Sequence, residues 1–203
     1  VARLVQKLGF PGFASFQKVL RDELDEKISS PLVKRQKWVD DASDQHVLNR
    51  FTKSVIDNIS QSLARVDLED FDEACRLLSD PKRRVFVVGG RITSTLADYF
   101  FLHMQVIREN VVHVTTKSNT WPHYLLDMVK DDVLVIFDVR RYENSALRLA
   151  EMALERGVRI ILFTDQWVSP VAQVAFVAFR SLFVVPSAWD SYVVGMLFAE
   201  SVI

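Results

Sequence analysis

The chain has a single cysteine in 203 residues, Cys75, and one thiol excludes an internal disulfide framework. No apolar run is long enough to cross a bilayer, and no signal peptide is legible. A cytoplasmic protein with no membrane partner is the expectation. Net charge is -1, so no global excess of either sign points to nucleic acid. Repeats and low-complexity segments are missing. His46, His103, His113 and His123 show no metal-ligand spacing with cysteine or acids, and no Ser-His-Asp or Cys-His set is placed for nucleophilic catalysis. The expectation is no metal, no catalytic set and no cofactor.

What is present is material for a core. Hydrophobic residues make up 49% of the chain, enough for one domain of roughly 120–150 residues and a smaller helical piece. Charge is unevenly placed. Residues 1–37 carry eight Lys or Arg against four Asp or Glu, an excess of four positive charges that leaves five negative on the remainder. A basic end on an acidic body fits an anion-binding arm.

Two regimes of periodicity divide the chain. Residues 1–30 read as helix, turn, helix. Gly9 is suited to a left-handed helix stop, Leu20, Leu24 and Ile28 recur at four-residue spacing, and Pro31 ends the second helix. Ser43-Asp44 can cap a helix with Val47, Phe51, Val55, Ile59 and Leu63 in one stripe. Asp67 can cap another with Leu68, Phe71, Ala74, Cys75 and Leu78 inward, ended by Asp80-Pro81; Cys75 is then a buried structural thiol. From residue 84 short apolar runs alternate with helices: strands at Val85–Val88, Val111–Val114, Val133–Phe137 and Ile160–Phe163, with a weaker one at Phe183–Val185. Helices fill the gaps: one with Leu96, Phe100, Met104 and Ile107, one around Tyr124–Val129, one from Asn144 to Arg156 stopped by Gly157, and one from Asp190. Such alternation predicts a parallel sheet with helices on both faces.

The most specific string is Leu8-Gly9-Phe10-Pro11-Gly12-Phe13, followed by Phe16-Gln17. It resembles the close of the helix-turn-helix domain of the RpiR-type transcription regulators. The first helix starts uncapped on an apolar residue, so its beginning is expected before Val1. The resemblance implies that residues 1–37 are the end of a DNA-binding domain and 38–80 linker helices. It also implies that Arg3 and Lys7 lie late on the recognition helix, nearer phosphate than base edges. A solvated helix face accounts for the same two residues.

In an open parallel sheet, ligands sit beyond the carboxyl ends of the strands. Three loops qualify: Gly89–Ser94, Asp138–Ser145 and Thr164–Ser169. The first lacks both the G-x-G-x-x-G and the Gly-Lys-Ser/Thr patterns. It resembles instead the opening of a sugar isomerase (SIS) domain, Gly-x-Gly-x-Ser with an Ala four residues on. Gly89 and Ala97 match, Arg91 replaces the second Gly and Thr93 the Ser. Ala150, Ala153, Glu155-Arg156-Gly157, Ile160–Asp165 and Ser169-Pro170 resemble the family's second half. The resemblance covers about residues 84 to 203. It implies an SIS-type open sheet over 81–203, preceded by the helical segments.

The loop after the third strand departs from that pattern. Where sugar-phosphate-binding members carry Ser-x-Ser-Gly-x-Thr, this chain has Asp138-Val139-Arg140-Arg141-Tyr142-Glu143. Asp138 and Glu143 repel a phosphate placed in the usual way, whereas Arg91, Arg140 and Arg141 offer charge-assisted hydrogen bonds. Either the arginines bind an acidic ligand with the acids orienting them, or Arg and acid pair among themselves and brace the sheet edge. The candidate effector residues are Gly89, Gly90, Arg91, Thr93, Ser94, Asp138, Arg140, Arg141, Tyr142, Glu143 and Ser145. Lys117–Trp121 reads as a loop pinned by Trp121-Pro122, His103 as a packing residue, and Ser169-Pro170 and Trp189-Asp190-Ser191 as helix starts.

The resemblance implies a regulator, a repressor of a catabolic operon, sensing a sugar phosphate or another small anionic metabolite. Operator DNA is the other partner, and a homodimer or homotetramer forms through the SIS domain. The alternative is a sugar-phosphate isomerase on the same fold.

Overall fold

The computed structural model describes residues 2–28, 33–34 and 46–203, except the side chains of 2–4, 22–23 and 25–28. The stop expected at Pro31, the cap expected at Ser43-Asp44 and the side chain of Arg3 lie outside the described residues. The chain divides into two compact units: Val1–His46 with Pro186–Trp189, and Val47–Val185 with Asp190–Ile203.

In the first unit, helix α1 spans Ala2–Lys7 and α2 spans Phe13–Ile28. Gly9 has φ 85°. Its amide donates to Gln6 O at 3.0 Å, and that of Phe10 donates to Val5 O at 3.2 Å. These paired bonds satisfy the last carbonyls of α1 and require the left-handed residue that glycine supplies. Phe10 then packs edge-on against Phe16, ring centroids 5.4 Å apart. The aromatic turn is therefore a helix stop followed by a small cluster. Leu20 and Leu24 are exposed, so their spacing marks no buried face.

The second unit is built on five parallel strands in the order β2-β1-β3-β4-β5: β1 Val85–Gly89, β2 Val111–His113, β3 Val133–Phe137, β4 Arg159–Asp165 and β5 Val177–Ser181. Alternate residues point to opposite faces. Val85, Val87, Val135, Phe137, Ile161 and Phe163 join one core with α4 (Leu68–Ser79), α5 (Ser94–Ile107) and α8 (Val193–Ser201). Phe86, Val88, Leu134, Ile136, Ile160 and Leu162 join the other with α6 (Trp121–Asp127) and α7 (Asn144–Glu155). Burial on both faces explains why the central strands read as unbroken apolar runs.

The fifth strand lies six residues earlier than expected. Val177–Ser181 pairs with β4, while residues 182–185 are in no strand. Helix α3 (Val47–Leu63) accounts for the difference. Its Asn58 donates to Val184 O at 2.8 Å, and its Ser62 hydroxyl accepts from Leu182 N at 3.0 Å. Side chains thus satisfy the backbone groups that a ladder would otherwise need. Phe183 and Val185 are buried without being strand.

Asp67 caps α4 by accepting from Glu69 N at 2.9 Å. Leu68, expected inward, is 73% exposed, and Val47, Leu63 and Ile107 are exposed as well. Cys75 is half-buried against the core. No helix among the described residues is long and apolar enough to cross a membrane.

Candidate anion-binding cleft

The strand order reverses between β1 and β3. The chain leaves β1 through α5, on one face, and leaves β3 through α7, on the other. The two loops splay apart and leave a crevice at the carboxyl ends. A cleft of about 140 Å³ lies there between Gly90–Thr93 and Asp138–Arg141, with Glu143 and Tyr192 also on its wall.

The first loop is held from inside. Thr93 is buried. Its hydroxyl donates to Phe137 O at 2.7 Å and accepts from Gly90 N at 2.8 Å. A Cβ on Gly89 would meet Thr93 O at 2.4 Å, so only glycine fits beneath the turn. The Ser94 hydroxyl donates back to Arg91 O at 2.9 Å.

The second loop rests on a carboxylate from β4. Asp165 is fully buried. Its Oδ2 accepts from Arg140 N at 2.6 Å; its Oδ1 accepts from Trp167 N at 3.0 Å, Val168 N at 3.2 Å and the Tyr142 hydroxyl. Arg140 then forks onto Asp190, with Nε donating to Oδ2 at 2.6 Å and Nη2 donating to Oδ1. Both side chains are only 10% exposed. The guanidinium lies over the Trp167 ring, 4.8 Å from its centroid. Arg141 takes φ 67°, and Arg91 and Arg141 are exposed. Ser145 Oγ donates to Glu143 Oε2 at 3.3 Å.

Asp138 is buried, and Ser169 Oγ donates to its Oδ2. Burial pushes its pKa up to about 6; the Ser169 hydrogen bond opposes this, and the negative charges of Asp165 and Glu143 add to it. Burial also raises Tyr142, helped by its hydrogen bond to Asp165. Burial and the nearby Asp190 push Tyr192 up to about 12. Both phenols are therefore neutral near pH 7. The cleft thus joins exposed guanidiniums to a carboxyl that titrates just below neutrality.

Residues 77–203 match the family model for the SIS domain. The chain belongs to the SIS domain family. It is 25% identical over 182 residues to an uncharacterized HTH-type transcriptional regulator of Clostridium perfringens, covering 86% of this chain and 62% of that protein. The chain thus spans under two thirds of that relative. Two solved structures share the fold. One is the sugar isomerase domain of an RpiR transcription factor from Sphaerobacter thermophilus, with TM-score 0.71 and 21% identity over 78% of this chain and 88% of that one. The other is the Vibrio vulnificus NanR protein complexed with ManNAc-6P, with TM-score 0.66 and 13% identity over 100% of this chain and 71% of that one.

Within this SIS domain the structure gathers Gly90, Arg91, Thr93, Asp138, Arg140, Arg141 and Glu143 around one cleft. Gly89, Ser94, Tyr142 and Ser145 stand behind it, in the turns and bonds that shape it. Lys7 belongs to the other unit and is exposed. Lys117–Trp121 does not line the cleft; Trp121 Nε1 donates to Thr115 O at 2.7 Å. His103 packs against Tyr99 with the rings tilted, centroids 4.1 Å apart. Ser169 caps the 3₁₀ turn Pro170–Gln173, accepting from Val171 N at 3.1 Å.

Sequence reasoning missed Asp190 as the partner of Arg140. The two are 50 positions apart, and Asp190 reads as a helix cap, whereas α8 starts at Val193. The central role of Asp165 was missed too. An acid as the last residue of a buried strand was its only signal.

Proposed function

We propose that this chain is the effector-sensing part of a DNA-binding transcription regulator, a repressor of a catabolic operon. Its cleft takes a small anionic metabolite such as a sugar phosphate. The observation that carries the reading is the placement of Arg91 and Arg141, exposed on loops from the two strands where the order reverses and lining one cleft. Guanidiniums on opposing loops suit a multivalent oxyanion. The relative from Clostridium perfringens is a regulator, and NanR was solved with a sugar phosphate bound. The helix stop at Leu8–Phe13 and the positive charge of residues 1–37 support a DNA-reading end in which Arg3 and Lys7 meet phosphate. Gly89, Gly90, Thr93, Ser94, Tyr142 and Ser145 shape the cleft, and Asp138 and Glu143 set its charge. The working form is a cytoplasmic homodimer or homotetramer, in which ligand binding shifts the DNA heads.

Calorimetric titration with sugar phosphates and inorganic phosphate tests the ligand. Saturable binding is expected, and Arg91→Ala with Arg141→Ala should abolish it. Failure of every phosphate to bind at millimolar concentration sinks the reading. Salt-dependent binding of the full-length protein to its own upstream DNA tests the other half.

One observation favours a second reading, an isomerase: Asp138 titrates at about 6 inside the cleft, where a general base is effective. Sugar-phosphate turnover that Asp138→Asn abolishes would move the assignment to an enzyme.

A further inference from the structure

Two walls of the cleft come from the loops after β1 and β3, and a third comes from the start of α8, where Tyr192 stands. This residue is held from below. Its ring packs on that of the buried Phe183, centroids 5.1 Å apart. Phe183 O accepts from Ser191 N at 2.9 Å, and Tyr192 O accepts from Met196 N at 2.8 Å as the helix begins. A Cβ on Gly195 would meet the Phe183 ring at 3.2 Å, so glycine lets α8 sit close on the ring that supports Tyr192. The other phenol of the region, Tyr142, is committed to Asp165, whereas the Tyr192 hydroxyl hydrogen-bonds to no described residue. Burial and the charge of Asp190 keep that hydroxyl protonated at neutral pH. A neutral phenol both donates and accepts. The field of Asp190 and Asp165 against Arg140 is net negative there, which disfavours an anionic oxygen, whereas Arg91 and Arg141 are exposed on the other walls. Charge and hydroxyl recognition therefore fall on different walls.

We propose that Tyr192 reads the uncharged end of the effector: its hydroxyl hydrogen-bonds to a hydroxyl of a ligand whose oxyanion lies on Arg91 and Arg141. This rests on the reading of the cleft as an anion site. It narrows the ligand from any small oxyanion to a hydroxylated one, the class of the sugar phosphates. An anion without a hydroxyl leaves the phenol to water and gains nothing from it. A site that hydrogen-bonds a ligand hydroxyl discriminates against analogues that lack it. The ring is fixed by Phe183 before any ligand arrives, so little ordering is left for binding to impose.

The test compares the wild type with Tyr192→Phe, which keeps the ring, in calorimetric titrations of inorganic phosphate, glucose 6-phosphate and ribose 5-phosphate. Circular dichroism confirms folding. At least one sugar phosphate should bind the wild type more tightly than inorganic phosphate does. Tyr192→Phe should weaken that sugar phosphate about three- to tenfold, the worth of one neutral hydrogen bond, and leave inorganic phosphate unchanged. Carbon-labelled tyrosine in the wild type gives a measurement free of mutation: one of the four Cζ resonances should move with the sugar phosphate and not with inorganic phosphate. No preference for either sugar phosphate, equal sugar-phosphate affinity in the two proteins, a matching loss for inorganic phosphate, or Cζ resonances that answer both ligands alike overturns the role of Tyr192 while leaving the anion site standing. No binding of any phosphate to the wild type overturns both.

Discussion

Thr93 and Phe137 are joined through one buried hydroxyl, which donates to the Phe137 carbonyl at 2.7 Å while accepting from Gly90 N at 2.8 Å. The bond ties the loop after β1 to the last residue of β3, across the point where the strand order reverses. The same hydroxyl therefore ties the first wall of the cleft to the strand from which the second wall starts, while Asp165 holds the second loop itself. The SIS pattern has Ser at this position, and the hydroxyl here acts as a brace.

Thr93→Val keeps the shape and removes that brace. It leaves a buried carbonyl and amide without their partner, at about 1–3 kcal/mol for the unsatisfied groups. Thermal unfolding should fall by roughly 2–4 °C per kcal/mol lost, and Thr93→Ser should recover most of it. A Val variant that melts with the wild type would show that the hydroxyl carries no net stability.

Gly89 and Gly90 are adjacent but unequal. A Cβ at Gly89 meets backbone Thr93 O at 2.4 Å, whereas one at Gly90 meets the Thr93 hydroxyl at 3.4 Å. Gly89→Ala should cost about 1–3 kcal/mol, as overpacking does, and weaken anion binding by displacing the loop. Gly90→Ala should be close to neutral. Denaturant midpoints of the two variants decide this, and equal midpoints contradict it.

The fold was legible where burial is two-sided. Val85–Val88, Val133–Phe137 and Ile160–Phe163 read as strands because both faces are covered. At the edge that signal fails: β5 carries an exposed Arg180, and the more apolar Phe183–Val185 is satisfied by side chains of α3. In the cleft, the loops were legible because the architecture fixes where strand ends meet. Which Arg pairs with which acid was not, since Arg140 and Asp190 converge only through the fold. Of the two arrangements open for the loop, Arg140 adopts the internal pair in this structure, while Arg91 and Arg141 are exposed.

At the opposite end of the sheet, Asp132 is buried and accepts from Arg84 N at 3.1 Å, Arg84 Nε at 3.2 Å, Arg84 Nη2 at 2.9 Å and Val129 N at 2.9 Å. Asp132→Ala strands two backbone amides and leaves Arg84 with only the Asp127 carbonyl and the Phe86 ring as partners among the described residues. Breaking such a pair costs about 3 kcal/mol; the lower end applies because Arg84 is partly exposed. The urea midpoint should drop accordingly with anion affinity unchanged, and a loss of affinity without loss of stability would contradict the separation of the two ends.

Asp138 predicts how both stability and binding follow pH. Its pKa rises from 3.8 to about 6 on folding, so the folded state holds the proton more tightly than the unfolded one. The stabilisation from that proton is complete below 3.8 and is lost as pH rises through about 6. It amounts to something on the order of 2–3 kcal/mol. Asp138→Asn, which carries no charge at any pH, should therefore stabilise the protein at about pH 8 and leave it unchanged at about pH 3. Protonation also removes a negative charge from the cleft wall. Anion affinity in the wild type should increase as pH falls through about 6, beyond what the ligand's own titration explains, and Asp138→Asn should flatten that dependence. Urea midpoints and calorimetric titrations across this range check both effects. A variant whose affinity still climbs on acidification would assign the pH dependence to another group.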